Sequence, residues 1–101
     1  MNSIIQDYEA EPWCFECGSP YNLQEHHCIE GRGRRALSEK YGLKILLCGM
    51  GGCHDKAHNG DPQLLEKYQE IGQKAFMEHY KKTVDEFRAV FGISFCKEMR
   101  I

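Results

Sequence analysis

The side chains able to do chemistry in this chain fall into one interleaved stretch: Cys14-x2-Cys17, His26-His27, Cys48-x4-Cys53 and His54-x3-His58. It holds four of the six cysteines and four of the five histidines. Thiolates and imidazoles are the groups that bind zinc and related ions, and a tetrahedral ion takes four of them. Eight such residues are twice what one ion can use. The pattern therefore predicts two ions, one structural and one catalytic.

Structural zinc sites draw their ligands as short-range pairs on separate turns. Cys14 and Cys17 form one pair, and Cys48 and Cys53 are the natural second. The wider gap of the second pair contains Gly49, Gly51 and Gly52, which let the backbone wrap. A finger built from Cys14, Cys17, His54 and His58 is disfavoured, because such fingers separate their pairs by roughly 12–15 residues. One Cys-x-x-Cys alone reads equally well as a redox motif; two pairs argue for metal. Short cysteine spacing beside histidines also argues against three disulfides and for a reducing compartment. Cys28 and Cys96 lie outside the pattern and are expected to be free thiols.

His54 and His58 are spaced i, i+4, which on a helix puts both rings on one face. His26 and His27 are adjacent, so on a strand they point to opposite faces. The economical arrangement sets His26, His54 and His58 around one divalent ion (Mg²⁺, Mn²⁺, Ni²⁺ or Zn²⁺), with positions open for water and phosphate. His27 stays off the metal and takes a proton from the attacking water. Any one of these histidines alone reads as an ordinary surface or core residue; the joint pattern carries the assignment. His79 lies outside it.

The elements that must position these residues are legible in outline. Residues 1–12 read as a polar, frayed lead-in ending at Pro12. Trp13–Gly18 reads as a zinc knuckle and Leu23–Glu30 as a strand carrying His26 and His27. A short helix over Arg35–Tyr41 stops at Gly42, and Leu43–Leu47 reads as a second strand feeding Cys48. Asp61 and Pro62 mark a helix start, with apolar residues at helical spacing from Leu64 to Tyr80. Thr83-Val84-Asp85-Glu86 is a capping box opening a last helix that ends at Gly92. These C-terminal helices read as a packing scaffold, and Ile93–Ile101 carries no clear pattern.

The length of 101 residues fits a single domain, residues 1–101, with a metal core over about 13–60 and a helical extension over about 61–95. Hydrophobic content is 42%, but the first half lacks long apolar runs. A metal worth about 10 kcal/mol would dominate the stability of that half. No basic, apolar leader opens the sequence, and no run approaches the roughly 18 apolar residues of a membrane span. The expectation is a cytoplasmic protein without a membrane partner.

The residues His26-His27, the strand end Leu46-Leu47-Cys48 and the run Cys53-His54-Asp55-Lys56-Ala57-His58 resemble the HNH endonucleases, in particular those with a built-in four-cysteine zinc. The run Arg34–Leu43 is similar to small prophage-encoded HNH-type proteins, and a looser likeness reaches towards residue 95. The resemblance implies an α+β fold: a small zinc-stabilised ββα-metal (His-Me finger) core with additional C-terminal helices. It implies a phage or prophage origin in a bacterial host. It also implies His27 as general base and His26, His54 and His58 as ligands of the catalytic ion, in agreement with the spacing argument. The chain departs from the family at the central Asn, whose place is taken near Leu43. The function expected is divalent-metal-dependent hydrolysis of DNA phosphodiester bonds with low sequence specificity. The rival is a non-catalytic zinc module that binds nucleic acid or a protein.

DNA must be met by a local patch, since the formal net charge is −2. Gly31-Arg32-Gly33-Arg34-Arg35 follows the histidine strand directly, so Arg32, Arg34 and Arg35 are the expected phosphate contacts. Lys40, Lys44 and Lys56 extend the patch on this reading.

Overall fold

In the computed structural model the described residues are 2–31, 33–49, 52–59 and 62–96, with Lys56, His58 and Asn59 described by their backbone alone. The element order is β1 (Leu23–His27), α1 (Arg34–Tyr41), β2 (Lys44–Cys48), α2 (Cys53–Asn59), α3 (Pro62–Tyr80) and α4 (Val84–Phe91). The class is α+β: one two-stranded sheet and four helices among the described residues. None of these helices is long and apolar enough to cross a membrane.

The strands pair antiparallel, with Leu23 opposite Cys48 and His27 opposite Lys44. Helix α1 lies between them in the chain, and Gly42 ends it in the left-handed conformation at φ 74°. A Cβ there would stand 2.5 Å from the Asn2 carbonyl oxygen, so the turn also requires glycine for space. β1 is three residues shorter than its hydrophobic pattern predicts. Past His27 one more bond, from Cys28 N–H to the Leu43 carbonyl at 2.9 Å, continues the pairing; at Ile29 the backbone turns to another partner, since the Ser38 hydroxyl donates to Ile29 O at 2.6 Å and accepts from Ile29 N–H.

The expectation of a frayed lead-in is corrected by the same accounting of backbone polar groups. A two-stranded sheet leaves the outer edge of β2 exposed, and the N-terminal segment covers it. Ser3 Oγ donates to the Lys44 carbonyl, Phe15 N–H to the Leu46 carbonyl, and Leu46 N–H to Gln6 Oε1. Gln6 is buried, and its amide also donates to the carbonyls of Glu11 and Trp13.

The core runs from the sheet into an aromatic cluster on the C-terminal helices. Phe76 of α3 meets Tyr41, Tyr80, Phe87 and Phe91 at centroid separations of 5.1–5.6 Å. α3 comes so close to the chain after β1 that a Cβ on Gly72 would sit 2.9 Å from Cys28 Cβ. Gln73, fully buried, donates to Ser94 Oγ and accepts from Phe95 and Cys96 N–H, which ties the segment after α4 to α3. α4 opens with Thr83 and Glu86 capping each other, as the sequence predicts.

Two substitutions separate packing from capping. Phe76→Ala should lower the unfolding free energy by about 3–5 kcal/mol. Thr83→Ala should lower it by only about 1 kcal/mol. Urea denaturation of the metal-loaded chain measures both.

Candidate metal centre

The four cysteines predicted as one set are brought together. Their sulfurs at Cys14, Cys17, Cys48 and Cys53 all lie within 4.8 Å of one another, and Cys17 and Cys48 are 3.6 Å apart. Two sulfurs each about 2.3 Å from a tetrahedral ion stand about 3.8 Å apart. The cluster therefore has the dimensions to hold one ion.

Local backbone geometry builds it. Gly18 at φ 79° closes the knuckle, with its N–H on the Cys14 carbonyl at 2.9 Å. Cys17 N–H points at Cys14 Sγ, and Cys53 N–H at Cys48 Sγ, both at 3.4 Å. Such N–H groups stabilise sulfur in its charged, ligating form. Burial pushes the Cys14 thiol up, but the surrounding backbone N–H donors outweigh it and bring the group to about 7. Cys53 is pushed up, by burial first and then by the three neighbouring thiols. Four thiolates cannot all be charged at this spacing without a cation, so the chemistry of the donor set calls for one. A soft four-sulfur tetrahedron suits zinc.

The histidines divide between the two faces of β1. His26 is fully buried on the face towards α3; its ring centroid is 5.5 Å from His54 of α2 and 5.4 Å from Tyr68 of α3. So two of the three predicted ligands of the second ion are neighbours. His58 follows His54 by four residues on α2, and its side chain lies outside the described residues. His27 faces the other way, where its Nε2 is 3.1 Å from Glu39 Oε1 of α1. Leu43, at the place of the expected Asn, is fully buried in the core.

The basic loop is dispersed. Arg34 turns inward, donating from Nε to the Phe91 carbonyl at 2.9 Å and lying over the Phe95 ring. Arg35 is exposed, and Arg32 lies outside the described residues. Lys44 does not extend a basic patch: it is buried and paired with Glu39 at 2.7 Å and Glu25 at 3.3 Å. Lys40 stands over the Tyr41 ring, and the Lys56 side chain is outside the described residues.

Sequence reasoning missed Tyr68, Glu16, Lys67 and Glu39, and placed Lys44 in the basic patch. Tyr68 joins α3 to both centres, because its ring packs on His26 while its hydroxyl donates to Glu16 in the knuckle at 2.9 Å. Lys67 holds the same carboxylate. Glu39 and Lys44 stand behind His27. In the sequence Tyr68 is one apolar position among many at helical spacing, and nothing marks Glu16 or Glu39 among fifteen acidic residues.

The chain purified without added metal should carry about one tightly held zinc per molecule. Gly52→Ala should weaken zinc retention, since its Cβ would meet Cys48 Sγ at 2.6 Å. Cys28 and Cys96, both fully buried, should stay reduced and unreactive until the chain unfolds. Elemental analysis with chelator competition and thiol titration checks all three; a zinc-free protein with three disulfides is the contrary result.

No family model, no curated protein and no solved structure matches this chain.

Proposed function

We propose that this chain is a divalent-metal-dependent endonuclease of HNH type, built on a zinc-stapled ββα-metal finger, that hydrolyses DNA phosphodiester bonds with low sequence specificity. The observation that carries the reading is the split of the adjacent histidines on β1. His26 turns inward to His54 on the helix that begins at the sulfur cluster, and His27 turns the opposite way to a carboxylate partner. A site that must hold an ion with one residue and take a proton with the next needs this division.

In this reading His26, His54 and His58 hold the second ion, which when bound supplies charge stabilisation to the phosphate and leaving oxygens. His27 takes the proton of the attacking water. Arg35 contacts DNA phosphate, with Arg32 three residues before it in sequence. Arg34 has the additional task of fastening α1 to the end of α4. The free thiols fit a reducing, cytoplasmic setting, and the phage or prophage origin rests on the sequence resemblance alone.

Single substitutions test the assignment. His27→Ala should keep the fold and the structural zinc and cut the cleavage rate by about 10²–10⁴-fold, the range of a general base. His58→Ala should lose the second ion together with cleavage, again sparing the structural zinc. Arg35→Ala should weaken DNA binding and flatten its dependence on salt. Arg34→Ala should in addition destabilise the fold. Cleavage unaffected by His27→Ala contradicts the role given to that residue.

A further inference from the structure

Within the nuclease reading, on which this step rests, the missing Asn leaves open what holds the base histidine. Leu43 cannot do it: its side chain is apolar and buried, and its backbone is engaged with Ser38 and Cys28. The space beside His27 is filled from α1 instead. Glu39 lies one turn before the helix stop at Gly42, and that stop returns the chain so that Lys44 pairs with His27 across the sheet. One oxygen of the Glu39 carboxylate is 3.1 Å from His27 Nε2, and the other is 2.7 Å from Lys44 Nζ. Lys44 in turn reaches Glu25, the next residue on the same face of β1, at 3.3 Å.

We propose that Glu39, clamped by Lys44, is the positioning residue for His27: its carboxylate accepts a hydrogen bond from Nε2–H, so that the neutral ring keeps its lone pair on Nδ1 for the water. A carboxylate can only accept. Lys44's bond, and after it His27's, holds the Glu39 carboxyl down at about 2, so it accepts throughout the neutral range. The nitrogen facing Glu39 must then carry the hydrogen, and the tautomer and ring direction follow. Glu39 thereby does from α1, with Lys44 of β2 holding it, what the family's Asn does from its own position. The second carboxylate, Glu25, holds the same ammonium, and its oxygen lies within 4.8 Å of the nearest ring nitrogen of His27 and carboxylate oxygen of Glu39.

The test uses the zinc-loaded full chain and two readouts. Nitrogen-15 NMR of the His27 ring should show a hydrogen-bonded Nε2–H proton in the wild type. That signal should vanish in Glu39→Ala and persist in Glu39→Gln, whose amide oxygen can still accept. Cleavage of plasmid DNA should fall about 10²-fold in kcat in Glu39→Ala, the scale of a misplaced catalytic group, with KM little changed and partial recovery in Glu39→Gln. Zinc content and thermal unfolding confirm that the variants fold. An unchanged Nε2–H signal and unchanged kcat in Glu39→Ala overturn the proposal. A wild type that cleaves with no ion fails the nuclease reading instead, and the NMR signal still decides whether Glu39 orients the ring.

Discussion

The knuckle, the end of β2 and the start of α2 meet at four sulfur atoms held within 4.8 Å of one another. Those atoms come from the knuckle, from the end of β2 and from the first residue of α2. The same segments also meet in the core, where Cys14, Leu47, Cys53 and Ala57 belong to one apolar cluster. Thiolates so placed repel one another, and a cation among them offsets the cost of crowding their charged forms. An ion held there would staple three segments of the chain at one point. Because His54 follows Cys53 directly, whatever fixes the sulfur cluster also fixes the start of the histidine helix.

From that point two constraints spread outward along β1. On the inner face His26 is enclosed by His54 and by Tyr68, and Tyr68 reaches past it to Glu16 in the knuckle. Helix α3 is thus more than a scaffold: one residue ties it to the sulfur centre and to the histidine pair. On the outer face a chain of polar contacts, His27 to Glu39 to Lys44 to Glu25, crosses from strand to helix and back. The two carboxylates offset the charge of a largely buried lysine that would otherwise be costly to desolvate.

The parts legible in sequence were those set by local chemistry. Cysteine spacing identified the sulfur set, Thr83 and Glu86 marked the start of α4, and Gly42 marked the end of α1. The opposite facing of His26 and His27 follows from strand geometry alone. What was not legible depends on partners distant in sequence. The lead-in looked frayed because the edge of β2 that it covers is some forty residues away. β1 looked longer because nothing in Cys28-Ile29-Glu30 reveals that Ser38 will compete for the backbone. Arg34 and Lys44 looked like surface cations until the Phe91 carbonyl and Glu39 supplied the reason for turning inward.

The central claim is that the histidines beside the sulfur cluster form a working nuclease site despite the leucine at the Asn position. Incubation of the zinc-loaded chain with supercoiled plasmid, in Mg²⁺, Mn²⁺ or Ni²⁺ and with or without EDTA, tests it most directly. The account predicts nicked circles with at least one of these ions and none in EDTA. Plasmid that is bound but stays supercoiled with every ion contradicts it, and leaves a zinc module that binds without cutting.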